Sequence, residues 1–537
     1  MSNQQPDKST ISLFPKAFFF KALICEKEND DQQALSYYIQ SLNLIQSIDG
    51  NSQDFSPLQS NIFSKIRNMY SGQRNMTLPN VFIDEALQIA YKSQQYDKVM
   101  LCLDARGEFK RLKGDYDGAL LDHQKSAELK SKIFGNEGEY VSISYFHIAS
   151  VYDDQGKYDK ALSMYNKSLK IQLSALGENH PNIAETYNNI GLVYDSQGKY
   201  DKAISMYNKS LKIHLTAPKN NRLSIAKVYS NIGSTYNIQG KYDDAISMHE
   251  KSLKLKLSVL DHNHPDIAKT YSNMGVIYSH QGKYNKAVTM FEKSLKIKLL
   301  ALGYYHPSIA ITYSNMGLAY TNQGKYDDAV SMYEKALKIE LPTLGKNHPK
   351  IATTYSNIGI AYDHQGRYYN AASMYEKSLQ IQLSTLGDKH PSIAATYSNI
   401  GNVYRNLGKY DEALNMFNKS FKIDLLALGD NHPNIATTYH SMGLVYHAQG
   451  NYDDAVSLYQ KAVTIFVGAH LQNHPNLAEI YNNIAICYDM QNRHDDAITM
   501  RQRSHDIRRN SQQGDDTDQT PSNDANQSEG MYHNIFV

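Results

Sequence analysis

The chain has 537 residues, 55 basic and 54 acidic side chains, and a formal net charge of +1. That balance excludes the basic excess of a dedicated nucleic-acid binder and gives no electrostatic reason to dock on a membrane. Three cysteines, Cys25, Cys102 and Cys487, lie far apart and fit neither a disulfide framework nor a zinc spacing, so a reduced, cytoplasmic setting is expected.

Residues 1–15 are polar, carry no signal-peptide hydrophobic region and are expected to be disordered. The apolar stretch Phe18 to Cys25 is too short and too interrupted to span a bilayer. Helices are expected over Phe18–Glu28 and Asp31–Ile48, joined at Asn29-Asp30, and then over Asn61–Tyr70 and Asn80–Tyr91. These segments are out of register with the rest of the chain. Residues 16–100 therefore read as divergent helical capping repeats, the atypical end that a repeat array needs.

From 101 to 509 one period governs the sequence. His-Pro pairs begin at His180, His264, His306, His348, His390, His432 and His474, spaced by 42 residues with one gap of 84. Gly or Ala recurs in the same register from Gly107 to Ala485, and Ala recurs from Ala119 to Ala497, which counts ten units. Within one unit, Ala184, Tyr187, Ile190, Gly191 and Tyr194 fall at helical spacing, as do Tyr200, Ala203, Ile204, Tyr207 and Leu211. Gly198 suits the end of the first helix and Pro181 its first turn. Small residues at Gly191 and Ala203 allow close helix approach. Acids such as Asp243-Asp244 open the second helices and lysines such as Lys254 and Lys256 close them, in the order that complements the helix dipole. One unit reads Ala217-Pro218-Lys219-Asn220-Asn221-Arg222 where the others read LGxxHP. Pro218 should end that helix early and change the superhelical pitch.

These residues resemble the tetratricopeptide repeat at Ile190, Gly191, Tyr194, Gly198, Tyr200, Ala203 and Tyr207. The pattern LGxxHPxIAxTYxNxG followed by QGKYDxAxxMYxKSLKI is similar to the repeats of the kinesin light chain family over about 103–509. The resemblance implies an all-α, right-handed superhelical solenoid of antiparallel helix pairs. It also implies a protein-binding scaffold or adaptor, with kinesin heavy chain or cargo proteins as partners and a cytoplasmic, cytoskeleton-associated setting. No heptad run of the kind that couples light chains to a motor is visible in residues 1–100.

The binding candidates form an asparagine series: Asn189, Asn231, Asn273, Asn315, Asn357, Asn399 and Asn483, with Ser441 in the remaining slot. Asparagine is a mediocre helix former, and an amide offers both donor and acceptor. A row of amides can grip the backbone of an extended peptide, and the resemblance places this position on the concave groove. The other reading is that each asparagine ties adjacent repeats together; the two are compatible. Ser230, Ser272, Ser314, Ser356, Ser398 and His440 are expected on the same face, with Asn237, Ser279, Thr321, Asp363 and Arg405 further along it. A carboxylate clamp is incomplete: Lys227, Asn231 and Asn273 match its start, but the third repeat offers Ile311 with Asn315.

No catalytic residue, metal or cofactor is expected. The His-Pro histidines sit a repeat apart and need not converge, and a metal needs several ligands together. Gly-rich phosphate loops, GxSxG and HExxH are absent from the sequence. The KSLKI lysines read as a solvated outer face rather than a nucleic-acid stripe. Residues 510–537 are expected to be a disordered tail, whose apolar end Asn534 to Val537 is suited to PDZ-type capture or to plain fraying. Peptide scaffolding is the leading function. A non-catalytic regulatory module of a signalling or enzyme complex is the alternative, and a pure spacer would not need shared groove chemistry.

Overall fold

Each His-Pro pair starts a helix. Proline loses nothing at the first helical position, and the preceding histidine caps the turn with its ring. His180 Nδ1 accepts from the Asn182 backbone N–H at 3.2 Å, and His264 and His348 repeat the bond to Asp266 and Lys350 at 3.1 Å. The first helix runs 16 residues and is stopped just beyond its end by a glycine with positive φ, such as Gly198 at 70° or Gly324 at 74°, a conformation that side chains with a Cβ resist.

The computed structural model describes residues 13–27, 30–48, 56–71, 81–216 and 221–514. Among these it contains 24 helices and no strand. The first four, Leu13–Lys27, Asp31–Ile48, Ser56–Ser71 and Val81–Lys92, agree with the helices expected ahead of the repeats. Thereafter the helices come in antiparallel pairs, for example Pro265–His280 with Tyr284–Leu302 and Pro307–Asn322 with Tyr326–Leu344. The helix before Pro218 ends at Thr216; the last helix, His494–Gly514, runs into the segment from 510 expected as a disordered tail, while residues 217–220 and 515–537 lie outside the described residues, and so do the expected pitch change and the apolar carboxy-terminus. The chain forms two compact units, 1–235 and 236–537. In the first, one core runs from Phe19 through Phe63 and Leu103 to Phe109, and another gathers around Tyr165 and Ile190. In the second, clusters around Phe291, Tyr333 and Tyr459 follow one another along the array.

The pairing of two helices in a repeat rests on a ring against a glycine. A Cβ built on Gly275 would lie 2.6 Å from the Phe291 ring, and one on Gly317 would lie 2.7 Å from Tyr333. The ring is fully buried because the facing residue has no side chain.

Three hydrogen-bond ladders then join repeat to repeat. Gln281 donates to Asp243 at 2.9 Å, Gln365 to Asp327 at 2.9 Å and Gln491 to Asp453 at 2.8 Å. The acid that opens a second helix thus also receives the next repeat's glutamine. Late in the second helix, Gln172, Lys256, Lys298, Glu340 and Gln382 each bond the threonine 14 residues on, Thr186, Thr270, Thr312, Thr354 and Thr396, at 2.8 Å. The third ladder runs along the first helices, through members of the asparagine series.

The lysines depart from the sequence expectation in two ways. Most second helices run on past them, so only the one ending at Leu257 has Lys254 and Lys256 in its last turn. Others stack on tyrosines of the first helix, as Lys209 does over Tyr187 at 5.3 Å and Lys377 over Tyr355 at 5.4 Å. Lys298 is buried in the threonine ladder, and burial lowers its pKa to about 8.

Asp424 occupies the same ladder position but is too short: Thr438 donates only to the Asn434 carbonyl, at 3.1 Å. Burial raises the Asp424 carboxyl to about 6. A folded pKa above the unfolded value of about 3.9 means that charging this group opposes folding, and the penalty grows as pH rises through that window. Asp424→Gln, the residue used at 172 and 382, should stabilise the protein by about 1–2 kcal/mol at pH 7. Thermal melts of the two proteins should converge as pH falls from 7 to 4. Equal melting temperatures at pH 7 would contradict this account of the ladder.

Candidate functional site

The asparagine series lies on the first helices, and neighbouring first helices approach one another along the array. Asn315 and Asn399 are 7% and 9% exposed, and the other members are half-buried. The structure divides the series. Asn231 donates to Asn188 of the preceding repeat at 2.8 Å, and Asn188 donates to Asn189 at 3.2 Å. Asn483 meets the His440 ring of the preceding repeat at 2.9 Å. Asn231 and Asn483 thus join repeats, and Asn189 is engaged by Asn188 of its own helix. Among the described residues, Asn273, Asn315, Asn357 and Asn399 make no side-chain hydrogen bond. Four consecutive repeats of the second unit therefore present an amide with donor and acceptor unspent.

The serines one position earlier are turned the other way. Ser272 bonds Ser294 at 2.7 Å, Ser356 bonds Ser378 at 2.8 Å and Ser398 bonds Ser420 at 2.8 Å, each across the two helices of its own repeat. They hold the pair together and do not line the face. Ser314 faces Ala336 in this register, and its buried hydroxyl stands unpaired. Further along the helix, Asn237 bonds His280 at 2.9 Å and Thr321 turns back to the Gly317 carbonyl at 3.0 Å. Burial raises the Asp363 carboxyl and lowers the Arg405 guanidinium, and the opposite charge of each partly offsets the shift in the other. Burial also lowers the His440 ring to about 4, so it stays neutral at physiological pH and meets the Asn483 amide uncharged. The face from 273 to 405 thus offers neutral amides with one charge of each sign at its later end.

A second polar cluster breaks the repeat. Arg106 binds Asp122 through two nitrogens at 2.8 and 2.6 Å, and reaches Asp84 at 2.6 Å. Arg111 binds Glu108 through two nitrogens at 2.9 and 2.7 Å, and also pairs with Asp154. Lys130 joins Asp104 at 2.7 Å and Ser144 at 2.9 Å. His123 and His147 stack between these groups. Burial lowers the His147 ring to about 4. His147 stands at the position of the asparagine series, so the cluster interrupts that row.

A tetratricopeptide-repeat model matches residues 99–174, 147–215, 224–299, 308–384, 364–425, 392–466 and 434–510, well over half of the chain. The chain is a tetratricopeptide-repeat protein. No curated protein matches it significantly. Among solved structures, this tetratricopeptide-repeat chain is similar to BtubC (BKLC) from P. vanneervenii, with 21% identity and a TM-score of 0.39, over 43% of this chain and 92% of that one. A putative kinesin light chain with nearly identical TPR-like repeats, from Podosopora anserina, matches at 22% identity and a TM-score of 0.36, over 39% of this chain and 99% of that one. The apo quorum sensor NprR from B. thuringiensis matches at 18% identity and a TM-score of 0.47, over 68% and 98%. The family binds proteins, and no helix among the described residues is long and apolar enough to cross a membrane.

Proposed function

We propose that this tetratricopeptide-repeat protein is a scaffold that holds extended peptide segments along the face of its first helices. The observation that carries the reading is the set of uncommitted amides, one per repeat, at Asn273, Asn315, Asn357 and Asn399. An extended strand exposes backbone donors and acceptors at regular intervals, and an amide side chain can answer both. Asn189, Asn231 and Asn483 belong to the same row but are already spent, Asn231 and Asn483 on joining repeats and Asn189 on Asn188 of its own helix. In this reading residues 16–100 cap the array and 101–509 make up its ten repeats.

The specific form is a kinesin-light-chain-like adaptor for cargo, resting on the LGxxHP and QGKYD motifs. Recovery of a kinesin heavy chain with the full chain from cell extract would support it, and recovery of other proteins alone would leave the scaffold without the motor. The polar cluster at 104–154 favours a second form, a regulatory module whose first repeat does something its neighbours do not.

The face is tested with peptides selected from a displayed random library against the full chain. The triple variant Asn273→Ala, Asn315→Ala, Asn357→Ala should bind them at least about tenfold more weakly, since each lost hydrogen bond contributes about 0.5–1.5 kcal/mol. Unchanged affinity in the folded variant would refute the amide row as the gripping surface.

A further inference from the structure

We propose that Glu108, His123 and His147 form a binding site for one divalent transition-metal ion of the zinc class, built where the first repeat meets the second. The three residues come from three successive helices, Tyr96–Leu112, Tyr116–Phe134 and Glu139–Asp154. Each offers a ligand atom, and these atoms lie within 4.8 Å of one another. Two imidazoles and a carboxylate are the donors that zinc, cobalt and nickel prefer.

The second observation is an unmet need. His123 is 0% exposed, and neither of its ring nitrogens has a hydrogen-bond partner. A buried polar group left so costs about 1–3 kcal/mol and calls for an explanation such as an ion. Its ring lies parallel to His147, with centroids 5.0 Å apart and planes 10° apart. Asp104 stands beside these three as an outer partner: its Oδ1 is buried, 3.8 Å from His123 Nδ1 and beyond hydrogen-bond reach, while Lys130 holds its Oδ2. Gly107 lets the His123 ring come this close, because a Cβ there would sit 2.7 Å from it.

The other repeats serve as an internal control. In the 42-residue register, the His123 position holds Tyr165, Tyr207, Phe291, Tyr333 and Tyr375, and the His147 position holds Asn189, Asn231 and Asn273. His249 shares the His123 position and is also unpaired, so an orphaned ring alone means little. What sets the junction of the first two repeats apart is the second histidine together with two carboxylates. Tetrahedral ligation at about 2.1 Å puts ligand atoms about 3.4 Å apart, so these side chains must draw in by roughly 1 Å. Glu108 must also release one oxygen from Arg111, which keeps its hold on the other and on Asp154.

The test uses the full chain, stripped with a chelator and titrated with Co2+. The wild type should take up one ion with a visible d–d band. His147→Asn and His123→Tyr install the residues that neighbouring repeats carry, so the fold is expected to survive; circular dichroism checks it. Both should lose the band and bind at least about tenfold more weakly in competition with a metal-sensitive dye, since even the loss of an outer-shell partner of a metal ligand costs about 10–100-fold. His249→Tyr should change nothing. No band in the wild type, or a band that persists in folded His147→Asn, overturns the proposal.

Discussion

Phe291→Ala should lower the stability of the second unit by about 3–5 kcal/mol, the loss seen when a large aromatic is cut from a closed core. Phe291 is fully buried, and its ring lies where a Gly275 Cβ would be, 2.6 Å away. A glycine helix face cannot fill the hole, because it has no side chain to move. The cavity also opens onto Ile309, Ala310 and Met316 of the next repeat, so one truncation loosens two helix pairs. Denaturant unfolding would show a lower midpoint. A change below about 1 kcal/mol would mean that the ring–glycine contact is not what couples the helices.

Arg106→Ala should cost about 2–4 kcal/mol, somewhat less than a buried pair broken outright. The Asp122 side chain is only 1% exposed, and two of its three cationic contacts come from Arg106. Lys110 remains at 2.9 Å, which moderates the loss. Burial pushes the Asp122 carboxyl up, but the hydrogen bonds from Arg106 and Lys110 outweigh it and hold it below the ordinary carboxylate range. A depressed folded value contributes stability above the unfolded pKa and loses it as pH falls through the folded one. The difference between wild type and Arg106→Ala should therefore be full at pH 7 and shrink in acid. The variant also frees Asp84, through which the same arginine ties the first repeat to the helix Val81–Lys92 ahead of it. A pH-independent difference would assign the effect to lost packing of the arginine stem.

The periodic features were legible in the sequence because each is fixed by local physics. Proline at a helix start, glycine with positive φ at its end, and a ring facing a glycine all demand one residue type, so identity repeats with the structure. The threonine ladder was not legible. Lys298, Glu340 and Gln382 share no chemical class, yet each reaches the same hydroxyl, so the bond recurs where the residue does not. The serine row misled in the opposite sense. Ser272 and Ser356 recur strictly, but one residue along a helix is a turn of about 100°, which points them at their partner helix. His123 and His147 were not legible either, because the ten-fold pattern and its His-Pro histidines carry no signal about the residues that break it.

The asparagine row was legible as a row and not as two groups. Whether an amide is spent depends on its neighbour: Asn188 and His440 offer partners where Ser272 and Ser356 are already engaged elsewhere. That contrast is the basis for placing peptide capture on the repeats from 265 to 406. The direct measurement is site-specific photo-crosslinking of a selected peptide, with the reactive residue placed at Thr321 on a first helix or at Lys296 on the exposed side of a second helix. The account predicts crosslinks from 321 and none from 296. Crosslinks from 296 with none from 321 would contradict it.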